Sequence, residues 1–423
     1  MKFEIKQRIE QIKKGEVPQD YKKTKIGIIP SEWKIDKLQN ISIKLTEKVG
    51  DQKLETLSIT AGKGFVNQAK KFGKELSGKQ YINYTVIYRE DFSYNKGNSK
   101  KYPQGCIYML EDREKAAVPN VFNSFRFNAQ CIYYYKQLFL YGFLNRQLSR
   151  YINSGVRNDG LLNLYDEDFY SCILPVPLLR EQKRIADILS IQDKIIELKE
   201  KMIVEKQKQK KYLMQTLLTG KIRLYDFTDK WQNIKIENLG SVYSGGTPST
   251  KKDIYWNNGN IRWIQSGLIQ NSFIKADSIT KYITEIGLKN SSAKIIKPYS
   301  VLVAITGATC ANVGYIDFEA TANQSVISIT PKDSIALFVY YLLMYNRNNI
   351  LKLQGGSAQG GVTLNDIKKF TLFMSDDIEE QTAIANVIST ADKEIELLKK
   401  ELEQEKQKKK ALMQLLLTGI VRV

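Results

Sequence analysis

Residues 181–224 read EQKRIADILSIQDKIIELKEKMIVEKQKQKKYLMQTLLTGKIRL, and residues 380–423 read EQTAIANVISTADKEIELLKKELEQEKQKKKALMQLLLTGIVRV. They align without a gap at an offset of 199, with 21 of 44 positions identical. Self-similarity at one long period means that the chain is two copies of one unit. Within each copy apolar residues recur at heptad spacing: Ile185, Leu189, Ile195, Met202, Leu213 and Leu217 in the first, and Ile384, Ile388, Ala391, Ile395, Leu398, Leu402, Leu412 and Leu416 in the second. That spacing predicts a long helix with an apolar seam. Each copy ends in LLTG, where Gly220 and Gly419 sit at the expected left-handed stop. At about 1.5 Å per residue the helix from Glu181 to Thr219 would be roughly 58 Å long. A lone helix of that shape leaves its seam in water, so the two copies should pack on each other. A globular stretch separates them, and the simplest closure is an antiparallel pair related by a pseudo-twofold axis. The other arrangement is two separate helices, each docked on its own globular half.

Outward from the helices the repeat continues more faintly. GIIPSEW leads to Trp33 and KIDKLQNI follows it, while DFTDKW leads to Trp231 and QNIKIENLG follows. NLYDEDF at 163–169 answers NDIKKF at 365–370. Between these markers lie short β-branched or aromatic runs bounded by Gly, Asn, Pro and Ser, such as YINYTVIY, GCIYML, QCIYYY, IRWIQSG, SVLVAITG and SVISIT, which read as strands. FLYGFLNRQLSRYI and ALFVYYLLMYNRNNI read as helical. The expected fold is therefore α+β: two mixed α/β globular domains joined by two long antiparallel helices forming a coiled coil, with a pseudo-twofold internal repeat. The expected divisions are residues 1–178 for the N-terminal segment and first domain, 179–222 for the central helix, 223–375 for the second domain and 376–423 for the last helix.

Composition narrows the chemistry. The 423 residues contain 64 Lys plus Arg against 45 Asp plus Glu, a formal charge of +19, and no histidine. Without imidazole there is no Ser-His or Cys-His pair and no His-bearing metal site. Cys106, Cys131, Cys172 and Cys310 lie far apart and form no C-x-x-C pair, which argues against a thiolate zinc site. The start, MKFEIKQRIE, is too charged for a signal peptide, and no 18-residue apolar run occurs. The expectation is a reduced, soluble, cytoplasmic protein with no membrane contact. A pI near 9.4 attracts polyanions, of which nucleic acid is the default; a generally Lys-rich surface is the plainer explanation of the same number.

Several motifs fail on inspection. Gly73-KELS-Gly78-Lys79-Gln80 approaches a phosphate loop, but Gln80 offers no hydroxyl for Mg²⁺ and no apolar strand precedes it. No N-P-P-Y or D-P-P-Y tetrapeptide occurs. The glycine clusters Ser244-Gly245-Gly246-Thr247-Pro248 and Gly355 to Gly361 read as turns or flexible contact loops. The acids Asp376, Asp377, Glu379 and Glu380 open a predicted helix, where they complement its dipole.

The positive reading comes from cations interleaved with amides and aromatics. Residues 1–180 carry 30 basic against 19 acidic side chains, and residues 225–373 carry 15 against 10. Candidate DNA contacts are Lys63, Lys70, Lys71, Lys96, Lys100, Lys101, Arg126, Arg157 and Asn158 in the first half. In the second they are Lys251, Lys252, Asn258, Arg262, Gln265, Lys294 and Gln359. Arg and Lys neutralise phosphates or bond guanine edges, and Asn and Gln read adenine. The lysine runs EKQKQKK (205–211) and EQEKQKKK (403–410) interrupt both seams; a helix dipole, or a face for protein or DNA, would account for them.

With these residues on the page, the chain resembles the specificity subunit of a Type I restriction-modification system. The likeness rests on GIIPSEW, on LPVPLLREQKRIA leading a long helix, on LMQxLLTGKIRL ending it, and on the doubling of the whole unit. The second copy departs in its approach, FMSDDIEEQ, which lacks the prolines. The resemblance implies a non-catalytic chain whose globular halves are target recognition domains, each reading one half of a bipartite asymmetric sequence in double-stranded DNA. Two readers on a rigid spacer would sit about 34 Å or more apart along the duplex. It also implies two methyltransferase subunits docked on the helices, restriction and translocase subunits recruited through them, and S-adenosylmethionine, ATP and Mg²⁺ held by those partners alone. The alternatives are the specificity subunit of a Type II system with a fused nuclease-methyltransferase partner, and a coiled-coil scaffold with no DNA role.

Overall fold

Both repeated stretches are helical over nearly their whole length, Leu179–Leu217 and Ile378–Leu417, in the computed structural model, which describes residues 3–73, 78–97, 102–152, 162–224, 227–354 and 361–423. The chain divides into two compact units: residues 1–199 with 401–423, and residues 200–400. Each long helix therefore gives one half of itself to each unit, a division that linear order does not display.

In unit 1 the first half of the central helix runs antiparallel to the second half of the terminal helix. Lys409 pairs with Asp193 at 2.5 Å, Lys199 with Glu401 at 2.6 Å, and Gln192 donates to Glu405 Oε2 at 2.6 Å. In unit 2 the other two halves pair in the same sense, with Lys206 to Glu394 at 2.9 Å and Lys210 to Asp392 at 2.6 Å. The two helices thus pack together as an antiparallel pair, and the lysine runs find a third explanation. They lie in mid-helix, no basic residue occupies either last turn, and a dipole effect fades within one turn, so cross-helix carboxylates are what several of these lysines meet. The seam also shifts by one residue from expectation: Met202 is half exposed and Ile203 is buried, matching Leu402 at the repeat offset. A straight helix drifts from strict heptad spacing, which moves the buried face to the next position. Gly220 and Gly419 end the helices at φ +66° and +72°, as glycine alone readily allows.

Each unit's core takes in both helices. In unit 1 Ile185 and Leu189 pack with Met413, Leu416 and the fully buried Trp33; in unit 2 Ile384 and Ile388 pack with Leu217, Leu218 and Trp231. The strand after each tryptophan pairs with the strand before the matching helix: Lys34–Lys37 with Ile173–Val176, and Gln232–Lys235 with Thr371–Met374, both antiparallel. Beyond this shared frame the units diverge. Unit 1 carries a four-stranded antiparallel sheet ordered Ser42–Lys44, Asn123–Phe127, Phe92–Asn95, Cys106–Met109. Unit 2 carries a five-stranded sheet ordered Gly240–Ser244, Val326–Pro331, Ser300–Ala304, Val313–Ile316, Ser272–Phe273, beside a three-stranded sheet centred on Ile261–Ile264. The sequences that read as helical each form two helices, Ile132–Leu140 then Asn145–Tyr151, and Ala336–Tyr345 then Arg347–Leu351. QCIYYY, expected as a strand from its aromatic run, instead opens the first of them, where Tyr134 and Tyr135 are buried on one side of the helix. Among the described residues no helix is long and apolar enough to cross a membrane.

Candidate nucleic-acid interface

The repeated Glu-Gln pair sets the frame on which any interface is mounted. Glu181, buried, accepts from Trp33 Nε1 at 2.8 Å and from Arg422 Nε at 2.6 Å. Glu380, also buried, accepts from Trp231 Nε1 at 3.0 Å and from Arg223 Nη2 at 2.8 Å. The neighbouring glutamine binds the start of each apolar helix. Gln182 Oε1 accepts from Cys131 N at 3.0 Å and Gln381 Oε1 from Ile335 N at 2.8 Å, while their amide groups donate to the carbonyls of Pro177 and Ser375. The missing prolines of the second copy therefore leave this geometry intact. Asp377 caps the terminal helix by accepting from Glu379 N at 2.7 Å, so the acidic opening serves both a cap and a buried ion pair.

In unit 1 most candidate cations that are described lie against partners of their own unit. Arg126 grips the fully buried Asp91 through Nε at 2.6 Å and Nη2 at 2.8 Å and lies over the Tyr88 ring; the hydrogen bond to Asp91 holds the guanidinium more firmly protonated than usual, against the effect of burial. Lys96 meets Asp166 at 2.9 Å, and Lys44 reaches the same carboxylate at 2.7 Å. Burial pushes the Asp166 carboxyl up, but hydrogen bonds from Lys44 and Lys96 outweigh it and leave it below its ordinary value. Lys71 Nζ bonds Ile59 O at 3.2 Å, and burial lowers its pKa. Lys63, in the turn between Leu57–Thr60 and Gly64–Asn67, and Lys70, on the short helix Gln68–Phe72, are exposed. Lys100, Lys101, Arg157 and Asn158 fall outside the described residues.

In unit 2 three of the candidate cations stand over aromatic rings instead of beside carboxylates. Lys252 lies 5.2 Å from the Tyr255 ring, Lys294 5.4 Å from Tyr243, and Arg262 5.3 Å from Phe318. Lys251 is exposed; Asn258, at φ +59°, turns the chain ahead of the strand Ile261–Ile264, and Gln265 follows that strand directly. Gln359 falls outside the described residues. The Gly245-Gly246 segment is no flexible loop: Gly245 N donates to Val326 O at 2.9 Å and Gly246 N to Ala322 O at 2.8 Å. Among the described residues no cluster of three or more Cys, Asp or Glu side chains could hold a metal.

The pattern of a common frame bearing two different, largely basic faces has a counterpart among known proteins: the Type I restriction modification DNA specificity domain matches residues 3–206 and again 228–407. The chain belongs to this Type I specificity family. It is 28% identical over 305 residues to the type I restriction enzyme MjaVIII specificity subunit of Methanocaldococcus jannaschii, covering 67% of this chain and 70% of that one. Its fold resembles the Type-I restriction-modification S subunit from M. genitalium, with TM-score 0.57 and 12% identity over 91% of this chain and 96% of the other. It likewise resembles a chain solved in work on complex assembly and conformational transition of the type I R-M system, with TM-score 0.57 and 16% identity over 93% and 99%. The protein is thus a non-catalytic specificity subunit with two target recognition domains.

Sequence reading of this specificity subunit did not single out two amides that the fold sets beside Gln265. Asn323 and Gln324 follow a two-residue strand, Thr321–Ala322, that runs parallel to Ile261–Ile264. Nothing in their own local sequence marks them. The usable signal was negative: residues 240–252, 258–276, 286–316 and 320–332 contain no Asp or Glu.

Proposed function

We propose that the two units read the two unlike halves of an interrupted DNA target, and that the helix pair docks two methyltransferase subunits. The observation that carries this reading is the contrast between an identical Glu-Trp-Arg frame and unlike sheets in the two units. A repeated mount with different surfaces suits an asymmetric target. Phosphate contacts would come from cations without carboxylate partners among the described residues, Lys63 and Lys70 in unit 1 and Lys251, Lys252 and Lys294 in unit 2. Support for paired partners comes from Leu198 and Leu397, matched at the repeat offset and both more than half exposed. An exposed apolar residue repeated once per unit fits two copies of one protein. Restriction and translocase subunits would join through the methyltransferases, in the cytoplasm, and S-adenosylmethionine, ATP and Mg²⁺ would belong to those subunits.

Mapping methylated positions in host DNA by single-molecule sequencing tests the reading; a continuous or palindromic motif would reject it. Lengthening both helices by seven residues should change the spacer and keep both half-targets. In a gel shift, 6 to 10 phosphate contacts should lower affinity by about 10³ to 10⁵ between 50 and 200 mM salt. Leu198→Glu combined with Leu397→Glu should abolish methyltransferase binding, and each alone should leave one copy bound in native mass spectra.

A further inference from the structure

The acid-free stretches of unit 2 are distant in sequence, and one glycine pair brings them together. A Cβ on Gly245 would collide with the carbonyl oxygens of Ala322 and Asn323, and one on Gly246 with the backbone of Ser292 and Ala293. The buried Trp263 donates from Nε1 to Gly246 O at 3.0 Å, and Asn323 N donates to Ile264 O at 2.9 Å. Segments 245–249, 264–266, 291–294 and 322–325 therefore form one close-packed patch. Its floor is backbone against backbone, which only glycine permits.

The side chains on this patch are amides, hydroxyls and cations. Trp263 pairs with Thr321 and Ile264 with Ala322 in parallel, so Gln265 and Asn323 are neighbours, the first residues past the two strands. Gln324 is exposed, and Thr247 Oγ1 donates to its Oε1, holding the amide plane in place. The Asn323 Oδ1 atom is buried without a hydrogen-bond partner. Lys294 adjoins Ala293 at the floor, and Lys251 and Lys252 lie just beyond Thr247; all three are exposed. A grip on phosphate alone would place cations at the centre. Here the amides Gln265, Asn323 and Gln324 gather where the two parallel strands end, and an Asn or Gln amide matches the paired donor and acceptor of adenine in the major groove.

We propose that this patch reads base edges of the half-target recognised by unit 2, with Gln265 and Gln324 as its adenine-reading amides and Lys251, Lys252 and Lys294 on the adjoining phosphates. The inference rests on unit 2 acting as a target recognition domain, and its test separates the two ideas. The full chain, co-expressed with its host's methyltransferase subunit, is compared with Gln265→Ala, Gln324→Ala and the double variant by sequencing of methylated sites. The wild-type half-target should contain at least one A·T pair. Each single variant should lose discrimination at one such pair on the order of ten- to a hundredfold, with the other half-target unchanged. Gln324→Glu keeps the side-chain volume and turns a donor into an acceptor, so preference should move from adenine toward cytosine, whose amino group a carboxylate accepts. Lys294→Ala should weaken binding to all sequences alike and lower the salt slope by about one. An unaltered half-target in the double variant and in Gln324→Glu, with the wild type still methylating a bipartite motif, overturns the assignment of these amides and leaves the subunit's role standing. A wild-type complex that binds no DNA overturns both.

Discussion

Units 1 and 2 share a frame down to individual hydrogen bonds and differ in what surrounds their cations. The globular part of unit 1 spends Lys44, Lys96, Arg89, Arg113, Arg126 and Lys136 on carboxylates of its own. Among the described residues of the second globular part, Lys235 and Lys275 are the lysines that meet an acid, at 3.8 Å and 3.1 Å. Net charge therefore misrepresents the two faces: the first half carries the larger basic excess, yet the second pairs a smaller share of its described cations with carboxylates. The frame must fit the helices in the same way twice, whereas the faces, on the function proposed above, answer to different sequences of DNA.

The largest test of that comparison lies in the frame. Glu181→Ala and Glu380→Ala each strand an arginine and a tryptophan N–H, and each should cost about 2–4 kcal/mol in urea unfolding of the full chain. The two losses should agree within about 1 kcal/mol; a larger gap would mean that the frames are not equivalent. Arg126→Ala comes next. It leaves the buried Asp91 carboxylate with the Tyr88 N–H as its remaining bond, and because Arg126 itself is half exposed the expected loss is about 1–3 kcal/mol. Lys294→Ala should leave stability within about 0.5 kcal/mol of the wild type and act on the salt slope instead. Equal stability effects for these two cations would erase the contrast between the units. Gly246→Ala forces backbone apart and should cost about 1–3 kcal/mol while altering only the half-target of unit 2. The smallest effect concerns acid. Hydrogen bonds from Lys275 and then Lys400 hold the Glu396 carboxyl below its ordinary 4.5. A depressed carboxylate stabilises the fold above its unfolded value and loses that contribution as pH falls through its folded value. For a half-exposed side chain this amounts to a few tenths of a kcal/mol at most, roughly, and Glu396→Gln should remove that increment above pH 4.5, the difference from wild type vanishing as pH falls below it.

Much of the frame could be read in advance, because its residues repeat. Glu181 and Glu380, Gln182 and Gln381, Asp193 and Asp392, and Arg223 and Arg422 all recur at one offset, and helical periodicity exposed the seam to within one residue. Their partners were less legible. Arg126 and Lys96 looked like free cations because nothing local places Asp91 or Asp166 beside them, 35 and 70 positions away. Gly245-Gly246 looked like a pliant turn, since the backbones that hem it in arrive from residues 292–293 and 322–323. The lysine runs invited a dipole or a binding face until the antiparallel register set Lys206, Lys210 and Lys409 opposite acids.

Sequence by itself determined the duplication, the two long helices, their stops and the positive field, because periodicity, glycine stops and summed charge are properties of neighbours or of totals. Tertiary structure alone decided which cations stay free, which carboxylates bury themselves, and which amides share a surface. Those outcomes depend on pairs such as Glu181 with Arg422, 241 residues apart, whose meeting is set by packing and not by any local preference of the chain.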